Sequence, residues 1–148
     1  RTFLEKGIAV VPAPGSYQLC FSYSDDVVNG HLLAMEKGRN GERYILGGPN
    51  VSYSHFFETI RRMAGTRGRI LPVPKVIVKS WAVWQAILFA VTGKDIRFTV
   101  PSVDLLFSNH AFSSDKAIRE LGYTITPLEN GIGETIRFLN NTKTSIAS

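Results

Sequence analysis

Apolar residues follow two rhythms along this chain, separated by Gly, Pro and Ser. Short apolar runs at 8–11 and 44–46 predict strands, Leu19 to Tyr23 reads as another, and 70–73 predicts an extended segment. Helical spacing dominates elsewhere. In 24–37, Ser24, Asp25 and Asp26 supply an N-cap and first-turn acids. Val27, Val28, His31, Leu32 and Met35 share a face there, and Gly38 sits just past the end. Ser52 caps a helix that turns Phe56, Phe57, Ile60 and Met63 inward and stops at Gly65. Pro74 opens a long helix to about Val91 with Gly93 beyond it, and Pro101 opens a short one. Ser113 or Ser114 caps 116–121, ended by Gly122. The string Thr126-Pro127-Leu128-Glu129 reads as a capping box, and Leu128, Ile132, Ile136 and Leu139 follow on one face. Residues 2–6 read as a helix tail closed by Gly7, and 12–15 and Asn40-Gly41 as turns. The expected fold class is α/β, a helix-rich α+β fragment with few short strands and neither repeats nor hairpins.

Composition narrows the class. The chain has 148 residues, 44% hydrophobic and 20% charged, enough for one domain with a core and unlike a disordered, collagenous or coiled-coil sequence. The one cysteine, Cys20, excludes an intramolecular disulfide framework and a thiolate zinc cluster. With no signal-peptide pattern at the start, it suits a cytoplasmic setting. No apolar run reaches the ~20 residues of a transmembrane segment. An opening Arg1 in place of Met is expected of a piece of a longer chain. The net charge of +5 is concentrated: 61–97 holds eight Lys/Arg against Asp95 alone, or +7, and the remainder carries −2. Such a middle is a solvated basic face, or it meets an anionic cofactor, nucleic acid or membrane surface.

Candidate chemistry is sparse. His31, His55 and His110 have no second metal ligand at helical spacing. No Gly-x-Ser-x-Gly elbow is present, and Cys20 lies in an apolar strand where thiols are inert. Gly47-Gly48 follows a predicted strand, but the other glycines of a dinucleotide fingerprint are absent. Asp25-Asp26 reads as helix capping rather than an acid/base pair. On that reading Asp26→Ala costs about 0.5–2 kcal/mol, the usual loss for a cap. The 81–91 stretch is apolar nearly all round, so it is buried, inserted at a membrane interface, or packed on a partner.

Three ordered strings carry a resemblance. They are Phe21-Ser-Tyr-Ser-Asp-Asp-Val-Val-Asn-Gly-His-Leu-Leu-Ala-Met35, then Gly41-Glu-Arg-Tyr-Ile-Leu-Gly-Gly48, then Ser113-Ser-Asp-Lys-Ala-Ile-Arg-Glu-Leu-Gly-Tyr123 with Pro127-Leu-Glu129. Together they resemble the C-terminal portion of an extended short-chain dehydrogenase/reductase of the NAD-dependent epimerase/dehydratase superfamily. The flavour is that of its dihydroflavonol-4-reductase-like and hydroxysteroid-dehydrogenase-like members. The resemblance runs from about Leu4 to Leu139.

What it implies is a single substrate-binding domain over 1–148, in which 24–47 would complete the Rossmann sheet of an absent N-terminal half. The family's Gly-x-x-Gly-x-x-Gly turn and Tyr-x-x-x-Lys pair do not occur here. The resemblance therefore implies no cofactor and no catalytic residue in this chain, and NAD or NADP in the parent enzyme. There, hydride would pass between nicotinamide and a carbinol or ketone carbon. The implied substrate-binding residues are Gln18, Phe21, Tyr23, Trp81, Trp84 and His110. The diphosphate-gripping Arg of the sugar-nucleotide epimerases falls at Leu19, and a second near Ser102 or Val103, which disfavours a nucleoside-diphosphate sugar. Expected partners are a small-molecule substrate, the absent Rossmann half and a second copy, without nucleic acid. The alternative is a non-catalytic binding or assembly module using 61–97 for lipid or nucleic acid.

Overall fold

The apolar runs pair across long stretches of sequence. In the computed structural model, which describes Phe3, residues 7–92 and residues 99–146, β1 (Ile8–Pro12) lies parallel to β4 (Arg69–Val73), with Ile8 opposite Arg69 and Pro12 opposite Val73. β2 (Gln18–Cys20) lies antiparallel to β3 (Asn50–Ser52), a three-residue strand that the sequence pattern does not announce. The helices are α1 (Ser24–Lys37), α2 (Tyr53–Met63), α3 (Lys75–Thr92), α4 (Val100–Leu106), α5 (Asp115–Leu121) and α6 (Leu128–Ile146). This is the expected helix-rich α/β class with few short strands. The 2–6 helix tail, apart from helical Phe3, and the Gly93 stop lie outside the described residues, as do Lys94, Asp95 and Arg97.

Several local signals act as read. Ser52 accepts from the His55 backbone N–H at 3.2 Å and caps α2. Gly7, Gly65 and Gly122 have φ of 67°, 61° and 75°, the left-handed region that glycine occupies without penalty. Pro101 stands in the first turn of α4. Leu128, Ile132, Ile136 and Leu139 do line one side of α6.

Other readings are corrected. The 44–46 run forms no strand. Tyr44 and Leu46 pack on Ala117, Leu121 and Tyr123, while Ile45 points to solvent. The segment is held by side chains instead: the Ser114 hydroxyl lies 2.8 Å from Gly47 N and 3.2 Å from Gly47 O, and the Ser22 hydroxyl reaches Leu46 O. Ser114 is thereby spent and does not cap α5, and Ser113, the other expected residue, accepts the first N–H of that helix from Asp115 at 3.1 Å. Around it, Tyr44 donates to Glu120 at 2.9 Å and Lys116 pairs with Glu42. Arg39, and secondarily Tyr44, hold the Glu120 carboxyl below the usual carboxylate range.

Helix α1 packs inward by a different face. Asp26 and Gly30 are buried, with Leu33 and Ala34 against the α5 cluster. A Cβ at Gly30 would lie 2.7 Å from Leu46 and 3.0 Å from Tyr123, so glycine admits these neighbours. The apolar face that Val28, Leu32 and Met35 share stands uncovered: Val28 is 58% exposed, Leu32 51% and Met35 81%.

Neither Ser24 nor Asp26 caps α1, which starts after Tyr23 with no side-chain cap. Asp26 instead reaches a residue 100 positions away: its two carboxylate oxygens accept from Thr126 N–H and Thr126 Oγ1, each at 2.7 Å. The Thr126 N–H, which a capping box would give to Glu129, goes to Asp26 instead, so no capping box forms at α6.

The core is thin. One cluster joins α3 and α4 through Ala82, Val103 and Phe107, with Tyr17 edge-on to Phe107. Another joins α1 and α5. The chain exposes 10152 Å², about a third above the roughly 7,500 Å² of a compact monomer of this mass.

Candidate substrate cavity

Three pieces of chain enclose a cavity of about 500 Å³: the 21–23 segment leaving β2, the apolar face of α2, and the apolar face of α6 with Thr126-Pro127 at its entry. Period-3.6 placement makes the two helices complementary, since Phe56, Phe57 and Ile60 meet Ile132, Ile136 and Leu139 across the space. Aromatic rings line the α2 side. Phe21 stacks on Phe56 with centroids 3.9 Å apart and planes within 5°, Phe56 meets Phe57 edge-on at 5.4 Å, and Phe57 meets Phe3 edge-on at 5.5 Å. Gly131 lets the Tyr23 ring lie against α6, where a Cβ would touch it at 3.4 Å.

The three aliphatic hydroxyls in this wall are already engaged. Ser22 donates to Leu46 O, Thr126 to Asp26, and Thr135 to Gly131 O at 2.8 Å. A ligand here meets mostly hydrocarbon and aromatic faces. Burial, and then the carboxylate of Asp25, push the Tyr23 phenol above its ordinary value. Burial also raises Tyr53 and Tyr123. These shifts keep the phenols protonated near neutral pH, opposite to what an acid/base tyrosine needs.

Of the six residues singled out from the sequence, Phe21 and Tyr23 line the cavity. The other four stand elsewhere. Gln18 is exposed at the start of β2, its N–H bound to Asn109 Oδ1 and its carbonyl to His110 N–H. Trp81 and Trp84 are half-exposed neighbours on α3, ring centroids 5.1 Å apart. His110 Nε2 lies 2.9 Å from Leu105 O and 2.8 Å from Ser108 Oγ, tying off the end of α4. The cavity residues of α2 and α6 were legible as apolar faces but carried no sign that they face each other across a gap.

Positions where an anion would need a cation hold none. Leu19 bridges to His110, Val103 is fully buried, and Ser102 bonds Thr99. A dinucleotide has no cradle at Gly47-Gly48 either. A Cβ on Gly48 would fall 1.9 Å from Phe21 O, and one on Gly47 2.6 Å from Cys20 Sγ, so these glycines serve close packing of the chain on itself. Among the described residues no group of three metal-binding side chains occurs, and no helix is long and apolar enough to cross a membrane. In the basic stretch, Arg62 pairs with Glu129 at 3.5 Å, and Asp104 faces both Lys75 (2.8 Å) and Lys79 (4.0 Å).

No protein-family model matches the sequence. Sterol demethylase protein B of Methylococcus capsulatus is 27% identical over 125 residues, covering 83% of this chain and 38% of that protein. The crystal structure of gox2253 superposes with a TM-score of 0.72 at 29% identity, over 92% of this chain and 40% of that one. UDP-glucose 4-epimerase from Thermotoga maritima, solved with UDP-glucose, gives 0.66 at 22% identity, over 95% and 37%. The enzyme WbmF from Bordetella bronchiseptica, solved with NAD+ and UDP, gives 0.61 at 20%, over 98% and 36%. The chain thus spans about two fifths of the length of the proteins it matches.

Proposed function

We propose that this chain, whose fold is that of part of an extended short-chain dehydrogenase/reductase, is the substrate-side, C-terminal portion of an NAD(P)-dependent oxidoreductase or epimerase. Its ligand is an uncharged, largely apolar carbonyl or carbinol compound, as in the dihydroflavonol-4-reductase-like branch. The observation that carries this reading is the α2–α6 cavity, with aromatic and aliphatic walls and hydroxyls already bonded within the chain. Leu19, Ser102 and Val103, at the positions expected to hold diphosphate-binding arginines, support the same choice. So does the name of the Methylococcus relative, which refers to a sterol. Some structural neighbours were solved with UDP-glucose or UDP, but Leu19, Ser102 and Val103 offer a diphosphate no cation.

In this reading Phe21 and Tyr23 form the aromatic lip of the substrate wall, with Phe56, Ile132 and Ile136 as its floor. Gln18, Trp81, Trp84 and His110 stand outside the cavity and serve the fold or other surfaces. In this reading the cofactor and the catalytic Tyr and Lys belong to the parent enzyme, in keeping with a sequence that carries neither the Gly-x-x-Gly-x-x-Gly turn nor the Tyr-x-x-x-Lys pair.

Two measurements test this. Calorimetric titration of the 148-residue chain with NADH and NADPH is expected to give no binding in the micromolar range, and micromolar binding would overturn the division of labour. Titration with a ketosteroid, a flavanonol and UDP-glucose is expected to rank the apolar ligands above the nucleotide sugar. Ile136→Trp, which fills the cavity, should weaken the apolar ligands at least tenfold, about 1.4 kcal/mol. Preference for UDP-glucose would refute the substrate class.

A further inference from the structure

Helix α3 presents apolar residues on the side facing away from the protein. Its inner side packs Val78 and Ala82 on Val103 and Phe107 of α4. Helical spacing puts Val76, Val83, Trp84 and Ile87 on the opposite side, and they are exposed, Val76 by 74% and Ile87 by 58%. Four of these residues, with Ser80 and Lys79, line one shallow depression. Ile77 and Trp81 widen the strip on one flank. The helix is 18 residues long, about 27 Å at 1.5 Å per residue. A surface helix of a water-soluble protein keeps its charged face outward, and this one inverts that rule.

Charge selects what covers it. Lys75 and Lys79 stand in the first turns of α3 and share one carboxylate, Asp104. From Arg61 to Lys79 the chain holds six basic residues and no acid, and Arg67 and Arg69, just ahead of the helix, are exposed. A second copy laid parallel on this face would bring two such ends together at a cost in like-charge repulsion, and one laid antiparallel would leave both basic ends without an opposite charge. An anionic bilayer supplies the opposite charge to the basic end, hydrocarbon to the aliphatic strip, and an interfacial depth at which paired Trp rings are favoured. Among the described residues no helix is long and apolar enough to cross a membrane, so an interfacial seat rather than a spanning one fits α3.

We propose that α3 is an interfacial membrane helix that seats this protein on anionic bilayers, with Trp81, Trp84 and Ile87 in the headgroup–acyl boundary and Lys79 at its edge. The proposal rests on the surface of α3 and not on the identity of the cavity ligand. In the substrate reading, such seating would place the cavity near a reservoir of apolar ligand.

The chain's two tryptophans are both in this helix, so intrinsic fluorescence reports on α3 alone. The 148-residue chain is titrated with phosphatidylcholine vesicles, with and without phosphatidylserine, and with the same lipids brominated high on the acyl chains. The expected result is a blue shift and bromine quenching with phosphatidylserine vesicles, weakened by added salt. Lys79→Gln should lower partitioning roughly fivefold, the worth of one basic residue at an anionic surface. Ile87→Ser, on the exposed face, should lower it about tenfold. Absence of quenching with the unmodified chain would overturn the proposal. So would a blue shift that appears without lipid and grows with protein concentration, the signature of a second copy on this face.

Discussion

Asp26→Ala is expected to lower the unfolding free energy by about 3 kcal/mol, more than the loss of a helix cap. Each Asp26 oxygen accepts a bond at 2.7 Å from Thr126, one from the backbone N–H and one from the hydroxyl. Hydrogen bonds to a charged group are worth roughly 1.5–3 kcal/mol each, and stranding a buried donor adds the cost of its desolvation. Asp26 is itself buried, so water does not readily replace the lost acceptor. Asp26→Asn keeps one acceptor and should cost less. Thr126→Val removes only the hydroxyl bond and should cost about 1 kcal/mol. Urea unfolding of the singles and the double mutant would give the coupling between them. Additive effects, or an Asp26→Ala midpoint within a cap's usual loss, would show that the carboxylate acts on its own helix after all. The link also connects α1 to the segment that enters α6 beside the cavity, so Asp26→Ala should weaken apolar ligands as well as stability.

The second large effect concerns association. Val28, Leu32 and Met35 form an exposed strip along α1 beside exposed Ile45, and the 44–46 segment has no strand partner among the described residues. Covering such side chains is worth roughly 1.5–3 kcal/mol each, a sizeable part of an ordinary domain's stability. The surface in excess of a compact monomer is larger than the ~800 Å² that one partner contributes to a standard interface. The chain is therefore expected to dimerise, or to exchange elements, through 24–47. Light scattering over a concentration series should show the rise in mass, and Leu32→Lys with Met35→Lys should abolish it. Hydrogen exchange at 43–47 should slow with concentration in the parent sequence only. A monomer at all concentrations, already protected across 43–47, would refute this. Because α1 carries no tryptophan, association here leaves the fluorescence of α3 unmoved and stays separable from membrane seating.

Features set by a few adjacent residues could be read from the sequence. The Ser52 cap, the left-handed glycines at 7, 65 and 122, Pro101 in the first turn of α4 and the apolar stripe of α6 all depend on interactions within about one helical turn. Their energy does not wait for the rest of the fold, so the pattern of residues determines them. The order of the strings from Phe21 to Glu129 likewise carries the resemblance to the fold that the structure shows.

Tertiary structure decided the rest, wherever one group had two possible uses. Asp26 could cap its own helix or bind a distant partner, and Thr126, a hundred positions on, took both of its oxygens. Ser114 could cap α5, but the backbone of Gly47 lies closer to its needs and occupies it. Helix α1 has two apolar stripes, and Gly30 settled which turns inward, because only there can Leu46 and Tyr123 approach the backbone. The 44–46 run has a strand's composition, yet a strand also requires a neighbour's backbone, which local sequence does not supply. The cavity is the largest instance. Each helix face was legible as apolar, but the sequence could not say whether α2 and α6 would close on each other or stand apart around about 500 Å³. The two helices touch where Met63 lies beside Gly133 and Arg62 pairs with Glu129, and the cavity opens alongside that contact.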